Sequence, residues 1–317
     1  MTNRAIGLGA FGFVLAGALG PLMPPWLTSL ATIAFANALV VLGLIILWRA
    51  GLVSFGQALY YCIGGYTVAL LMRWFGLTDA ILLVLLGGVL AGLTAFLVGF
   101  LLARYREIFF AMLSLALSMI LYGALVKTES LGSTDGFSVP NPTFLGYAPH
   151  AAALNLSLYW LVLTIGAFAS LFVGAYFRSL GGTLAIPIRD NEIRVEFLGM
   201  SVNRLIHLKL VIAGALGGLG GALAGLTIGH VDPAMAYWTA SGGFVFVTIL
   251  AGSSSIAAAF VGSLLFEMIR SFAFATLPSL WQLILGTVLL LTILFLPEGL
   301  GSIFARFRGR RRMEEAV

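Results

Sequence analysis

Charged side chains are scarce in this chain. Asp, Glu, Lys and Arg make up 9% of the residues and hydrophobic residues 61%, against about 25% and 45–50% in soluble domains. The mean hydropathy is +1.07. Apolar runs repeatedly reach the length of about 20 residues that crosses about 30 Å of hydrocarbon as a helix. This scarcity excludes an ordinary soluble domain and predicts a membrane protein.

Cysteine and histidine are also rare. The single cysteine, Cys62, lies in an apolar segment, so the chain has no internal disulfide and no cysteine metal site. The three histidines are scattered, and there is no Gly-rich Walker loop and no His-Glu-x-x-His motif. We therefore predict that the chain is not an enzyme and binds no metal and no cofactor of its own.

The long apolar runs lack the alternation of polar and apolar residues that marks a membrane β-strand. Backbone groups in lipid must be hydrogen-bonded internally, so helices remain. We predict an all-α polytopic membrane protein, with one domain over 1–317 and a helical bundle of about ten transmembrane segments. The predicted spans are 5–23, 29–48, 52–72, 80–102, 108–126, 156–177, 207–228, 241–253, 256–275 and 279–296.

Two of these spans need an argument. The segment 241–253 would rise only about 20 Å as a helix, so we expect a short, broken or tilted helix there. If it did not cross, the arginine-rich tail would lie outside. Interrupted segments at membrane depth need protein or a watery cavity around them, which makes this region a candidate pathway wall. The run 5–23 has features of a signal peptide, but we keep it as a span because the charge distribution favours it.

The basic residues predict an orientation. With a cytoplasmic N-terminus, only Arg73, Lys127 and Arg270 of the 17 Lys and Arg residues lie outside. The positive-inside rule favours this arrangement. We predict a multi-pass protein of the bacterial inner (cytoplasmic) membrane with both termini in the cytoplasm. An external loop over 128–155 and a basic cytoplasmic tail over 301–317 follow from it.

The densest polar stretch lies between Arg178 and Lys209, where 8 of the 29 charged residues fall. It contains the predicted cytoplasmic loop 178–206. A membrane protein without a soluble domain that keeps a charged loop able to form a helix is expected to use the loop to contact a soluble partner.

One short helix is predicted in this loop. Pro187 suits its first turn, and Asp190 or Asn191 caps its free N–H groups. Glu192 complements the helix dipole, and Gly199 suits a left-handed end.

An apolar stripe runs along this predicted helix. Ile193, Phe197 and Met200 recur at i, i+4 and i+7. A free helix of this length is marginal in water, so the stripe needs a surface to lie on. That surface is either a groove of a partner or the protein's own helix ends.

Four stretches of the chain resemble motifs of one family. The stretch 189–199 resembles the coupling-loop signature of the branched-chain amino-acid type permeases of ABC importers, the M-type subunit more than the H-type. The stretch 51–67 is similar to the early-span motif of that family. The stretches 133–136 and 296–300 resemble its external Gly/Ser-Asp-Gly loop and its C-terminal ending. The likeness covers nearly the whole chain, in order.

The resemblance implies that this chain is one subunit of a larger transporter. This chain would pair with a homologous second permease subunit, and two cytoplasmic ATPase subunits would bind the ATP. A periplasmic substrate-binding protein would deliver branched-chain or related small amino acids to a pathway that opens by ATP-driven alternating access. The ATPase-coupling residues carried over are Arg189, Asp190, Asn191, Glu192, Ile193, Arg194, Phe197, Leu198 and Gly199.

Polar residues of the early spans are candidates for lining the pathway. Ser54, Gln57 and Tyr61 share a helix face, and Thr67 follows them. Gln57 stands where histidine is common in the family. The alternative is that these side chains hydrogen-bond between helices.

The external loops carry two candidates for docking the binding protein, Asp135 and Asp232. The loop 128–155 is longer than ordinary connections, which favours a functional role. The alternative is a plain periplasmic lid.

The substrate and the source of energy leave alternatives open. Urea, amides and aromatic carboxylates are substrates of the same importer class. An ion-coupled secondary transporter or facilitator is an alternative of another class. Glu267, with Arg270 on the same helix face, is the exception in otherwise uncharged deep spans and would be its relay. A scaffold or enzyme is disfavoured by the missing catalytic constellation.

Overall fold

The computed structural model describes residues 12–252, 255–295 and 299. Almost all of its regular structure is helical, with one two-residue strand pair. The helices are α1 (Gly12–Leu22), α2 (Pro25–Trp48), α3 (Gln57–Phe75), α4 (Ala80–Leu102), α5 (Glu107–Lys127), α6 (Ala151–Arg178), α7 (Leu180–Thr183), α8 (Ala185–Asp190), α9 (Glu192–Phe197), α10 (Val202–Ile228), α11 (Trp238–Ala251), α12 (Ile256–Thr276) and α13 (Trp281–Phe295).

Six of these helices are long and apolar enough to cross a bilayer, by length and composition: α2, α4, α5, α6, α10 and α12. Three further helices, α1, α11 and α13, are apolar but shorter. With the 19-residue α3 they occupy the places of the ten predicted spans. The predicted all-α polytopic class is confirmed, whereas the count of ten crossings stays a prediction.

Burial separates the inner helices from the outer ones. The apolar stretch of α2 is 83% buried inside the chain, and that of α5 is 22% buried. Both helices are apolar around their whole circumference, so composition alone does not distinguish them. The structure therefore places α2 in the core and α5 at the perimeter.

α10 is the central helix, packed against α2, α3 and α4. Its glycines lie where the neighbouring backbones come closest. A Cβ atom on Gly218 would lie 2.6 Å from the carbonyl oxygen of Gly87 in α4, and one on Gly64 in α3 would lie 2.7 Å from the carbonyl carbon of Gly218. Small residues permit this approach, which is how apolar helices pack in lipid. The glycine-rich helices therefore pack closely.

The connections gather at two ends of the bundle. At one end the α2–α3 and α4–α5 turns contact the segment α7–α9, where Gly51 packs on Arg189. At the other end the α3–α4 turn contacts the α5–α6 connection, where the Ala80 N–H donates to the Thr143 carbonyl oxygen at 2.8 Å. We call these the α9 end and the strand end.

The strand end has regular structure of its own. β1 (Phe137–Ser138) pairs antiparallel with β2 (His230–Val231), which joins the α5–α6 connection to the α10–α11 connection. The connection between α5 and α6 ends earlier than the predicted loop 128–155, because α6 begins at Ala151.

α11 is the short helix in the region predicted to be irregular, with 14 residues. A 3-10 turn, Pro233–Ala236, precedes it and lies at about half the depth of the bundle. There Ser118 Oγ, near the middle of α5, donates to the Ala236 carbonyl oxygen at 2.8 Å. Met235 likewise reaches Gly65, near the middle of α3. The chain therefore re-enters the bundle after α10 before α11 begins.

Some predicted features lie outside the described residues. They are the first residues of span 5–23, the tail 301–317 and the C-terminal motif 296–300 apart from Gly299.

Candidate functional site

The segment α7–α9 forms the surface of the α9 end, where the coupling residues were predicted. One helix was predicted here, with Pro187 in or just before its first turn and Asp190 or Asn191 as its cap, and the placement of Pro187 was wrong. The structure has two helices with a break at Asn191, whose backbone is extended. The Asn191 side chain causes the break, because its Oδ1 accepts the Arg194 N–H at 3.0 Å and thereby starts a new helix. Pro187 belongs to the earlier helix, α8.

The two ends of α9 follow the prediction. Asn191 is the N-cap, and Glu192 lies in the first turn. Gly199, just after the helix, has φ of +82°. Glycine adopts this left-handed conformation at a helix end with the least steric strain. These features are local in sequence, so they could be read without knowledge of the fold.

One face of α9 is buried and the other is open. Val195 is 1% exposed and packs with Ile188 of α8 in a cluster under the segment. Ile193 is 66% exposed, Phe197 88% and Leu198 75%. Of the predicted stripe, Met200 packs partly against the cluster, while Ile193 and Phe197 do not. α9 therefore lies on the bundle through Val195 and presents an apolar surface outward.

The charged residues near this surface are exposed. Arg189 Nε lies 3.5 Å from Asp190 Oδ1, with the two side chains 50% and 64% exposed. Arg194 is exposed as well. The surface thus combines a small apolar patch with charges of both signs, the composition of a polar-rimmed contact.

Arg106, in the α4–α5 turn, makes an ion pair with Glu192 of α9, Nε to Oε1 at 2.5 Å. The same guanidinium donates to Asn203 Oδ1 in α10 at 2.9 Å and to the Ala103 carbonyl oxygen at 2.6 Å. From the sequence, Arg106 was predicted only to be a basic residue on the cytoplasmic side. Its partners are 86 and 97 residues away in sequence, and no local pattern reveals them.

Lys209 was treated as part of the polar stretch, yet it is fully buried in α10. Its Nζ donates to the Gly181 carbonyl oxygen of α7 at 2.6 Å and lies 5.8 Å from the centre of the Tyr176 ring. A buried ammonium needs such partners, since an unpaired charge is costly away from water. Lys209 therefore fixes the start of the segment to the central helix.

The four pathway candidates lie inside the chain. Ser54 is 2% exposed, Gln57 0%, Tyr61 7% and Thr67 6%. The Tyr61 ring packs on Phe244 of α11, with centroids 5.0 Å apart. The Gln57 amide has no hydrogen-bond partner among the described residues. Their role in the pathway stays a prediction.

A polar strip formed by Tyr122, Tyr237 and Trp238 reaches the surface beside α5. The Tyr122 and Tyr237 rings are half-buried with centroids 4.9 Å apart, and Trp238 at the start of α11 is 50% exposed. This strip lies where the re-entrant turn meets the least buried long helix. An irregular region was predicted nearby, at 241–253, but none of these three residues was predicted, because their contacts depend on the fold.

Asp135 and Asp232 were predicted from separate loops, and the structure brings those loops together. A Cβ on Gly136, whose φ is +67°, would lie 2.7 Å from the Asp232 Cα. Pairing of β1 with β2 continues the contact. Asp135 is exposed and Asp232 is half-buried at the strand end. Their role in docking stays a prediction.

Glu267 lies near the middle of α12 and is 6% exposed. Its Oε1 lies 3.1 Å from Nη2 of Arg270, the predicted pair. The predicted pairing is confirmed, and the relay role of Glu267 stays an alternative.

Comparison with known proteins identifies a family. A family model described as "Branched-chain amino acid transport system / permease component" matches residues 26–293. The high-affinity branched-chain amino acid transport system permease protein LivM of Escherichia coli (strain K12) is 28% identical over 301 residues, covering 86% of this chain and 69% of LivM. LivH of the same system in Salmonella typhimurium is 25% identical over 291 residues, covering 85% and 92%. No solved structure matches the chain significantly.

Proposed function

We propose, since this chain belongs to the branched-chain amino acid transport permease family, that it is the transmembrane permease subunit of an ATP-binding-cassette importer. It forms half of a pathway for branched-chain or related small amino acids and pairs with a homologous second permease. Two cytoplasmic ATPase subunits supply the energy, and a periplasmic binding protein delivers the substrate. The matched relatives are named as permeases of a high-affinity branched-chain amino acid system, not as enzymes.

The open face of α9 is the observation that carries this proposal. Ile193, Phe197 and Leu198 are all more than 60% exposed at the end of the bundle, on a helix fixed from below by Val195. A short helix with an apolar outer face is suited to a groove of a soluble partner. An ATPase seated there would move α9 as a rigid unit when it closes on ATP.

The buried charges support an external source of energy. Among the described residues, Lys209 and Glu267 are the buried Lys, Arg, Asp or Glu side chains, and each has a partner within 3.1 Å. Ion-coupled transporters depend on intramembrane charges that bind and release an ion. Paired charges instead favour a structural role for Lys209 and Glu267, and in this proposal ATP hydrolysis by the partner subunits supplies the energy for transport.

The pathway in this proposal runs along α5. This helix is the least buried of the six long ones, and the polar strip of Tyr122, Tyr237 and Trp238 lies beside it. Irregular backbone at membrane depth is tolerated where it borders a cavity or other protein, which is the situation of the turn Pro233–Ala236. The second permease would cover this side.

Docking of the ATPases on α9 is tested by co-purification from membranes. With Phe197→Asp we expect recovery of the ATPase subunits with the permease to fall at least tenfold, because a charge would replace the most exposed apolar side chain of the surface. Phe197→Leu keeps an apolar group and should retain most of the recovery. Full recovery of the ATPases with Phe197→Asp would place their docking site elsewhere.

A further inference from the structure

The Arg106 guanidinium joins three parts of the α9 end. It donates to the carboxylate of Glu192 in α9, to Asn203 in α10 and to carbonyl oxygens of the α4–α5 turn. Arginine suits this position, because its planar fork presents several N–H donors in fixed directions, which lysine cannot do.

Arg106 is also the residue from which α5 starts. It is the N-cap of α5, and the next residue, Glu107, has φ of +50°. Positive φ is sparsely populated by residues other than glycine, and such strain persists only where the surroundings enforce it. The bonds of Arg106 supply that enforcement, so the start of α5 depends on where α9 and α10 hold this side chain.

One buried apolar cluster includes residues of both α9 and α5. Val195 of α9 and Phe110 in the first turns of α5 belong to the same buried cluster. They are 1% and 0% exposed. α9 is therefore connected to the start of α5 by a charge pair at the surface and by packed side chains beneath it.

We propose that Arg106 is a positioning residue that transmits displacement of α9 to the first turn of α5. The inference rests on the proposed function, in which an ATPase moves α9 and α5 borders the pathway. α9 carries the Glu192 carboxylate with it, the charge-assisted bond draws the guanidinium, and the strained α4–α5 turn changes the start of α5. The pair links the surface that receives the force to α5, the least buried of the six long helices.

Lys209 is the contrasting case. It ties α7 to the central α10, and α10 is packed against three helices. The bond of Lys209 to the central helix α10 restrains the segment α7–α9. The bond of Arg106 instead transmits movement of α9 to the perimeter helix α5. Lys209 and Arg106 both contact the segment α7–α9, and we assign them different roles: Lys209 restrains the segment, and Arg106 transmits its movement.

The first test compares transport with ATP hydrolysis in the full importer, with labelled leucine as the probe. With Arg106→Ala we expect the ratio of leucine imported to ATP hydrolysed to fall at least tenfold. Arg106→Lys keeps the charge but not the fork and should be intermediate. Arg104→Ala removes an exposed arginine from the same turn and should stay within twofold of the unsubstituted importer.

The second test needs no substrate. Spin labels at Met112→Cys in α5 and Phe168→Cys in α6 occupy exposed positions, and the native Cys62 is buried and does not compete for label. Binding of a non-hydrolysable ATP analogue should change the distance between labels, at least by the 1–2 Å or so typical of helix shifts in switching proteins. The change should be lost with Arg106→Ala and kept with Arg104→Ala.

The outcomes separate this inference from the proposed function. An unsubstituted importer that neither imports leucine nor responds to ATP contradicts the proposed function. If it does both and Arg106→Ala keeps the ratio and the label movement, the transmission role is overturned. It is overturned as well if the labels in the unsubstituted complex do not move, or if both Arg106→Ala and Arg106→Lys prevent assembly, since Arg106 would then serve the fold alone.

Discussion

Basic side chains at the α9 end join separate parts of the chain. The guanidinium of Arg49 lies 4.0 Å from the centre of the Phe177 ring, Lys209 bonds to α7, and Arg106 bonds to α9. The positive-inside rule accounts for the presence of such residues near a cytoplasmic face. The structure adds that their charges are used in specific contacts that define the candidate coupling surface.

Lys209→Met gives a direct test of one of these contacts. The substitution removes the bond to the Gly181 carbonyl oxygen but keeps much of the volume. Hydrogen bonds to charged groups contribute about 1.5–3 kcal/mol, which corresponds to about a 10- to 100-fold change in an opening equilibrium. We expect amide hydrogen exchange of residues 180–184 to accelerate by that factor, as measured by mass spectrometry.

Lys127→Met is the matched control, since Lys127 is exposed at the end of α5 far from α7. It should leave exchange in residues 180–184 unchanged. Unchanged exchange in Lys209→Met as well would show that α7 does not depend on this bond.

Residue-level prediction succeeded where the signal was local. Asn191 and Gly199 were identified from their positions around a short apolar repeat, and both have the predicted roles in the structure. Arg106 and Lys209 were missed as contact residues because their partners are distant in sequence. Ser54, Gln57, Tyr61 and Thr67 were predicted as pathway residues from their polarity alone. The sequence did not reveal that they are buried within the chain, and their role in the pathway stays a prediction.

Among the helices, α10 determines the packing of the bundle. Its glycines meet the backbones of α2, α3 and α4 at distances that exclude a Cβ. Closely spaced glycines in a span are typical of such contacts, but they do not reveal which helix lies at the centre. The central place of α10 depends on contacts with spans that precede it by more than a hundred residues.

Gly218→Val tests this packing. A Cβ at Gly218 would lie 2.6 Å from the Gly87 carbonyl oxygen, so the helices must separate. Overpacking of this kind costs about 1–3 kcal/mol or more, and we expect the thermal unfolding midpoint in detergent to fall by several degrees or folded protein to be lost. Gly286→Val in α13 is the matched control, because it changes the helix propensity equally but no atom lies within 4 Å of an added Cβ. Its unfolding midpoint should equal that of the unsubstituted chain. Equal midpoints for both variants would contradict the packing argument.

The segment 178–206 contains α7, α8 and α9, where one helix was predicted. The predicted helix is α9, which starts after the Asn191 cap, whereas Pro187 lies in the separate helix α8. The bundle buries Ile188 of α8 and Val195 of α9 in one cluster. Which face of α9 is covered follows from that packing, and it leaves the predicted residues Ile193 and Phe197 open.

Three candidate contact surfaces lie at separate places on the described part of the chain. The α9 end offers an apolar patch, the strand end brings the loops of Asp135 and Asp232 together, and the perimeter helix α5 stays largely uncovered. Membership of the permease family explains why a single chain leaves these surfaces open, since a permease subunit acts with partners. The fold class was predictable from apolar run length alone, but the arrangement of these surfaces was not.

Uptake of labelled leucine into proteoliposomes that contain this chain, its second permease, the two ATPases and the binding protein tests the account most directly. We predict uptake that requires ATP on the side of the ATPases and stops when ATP is omitted. Leucine uptake driven by an imposed proton gradient without ATP would contradict the account and favour an ion-coupled transporter.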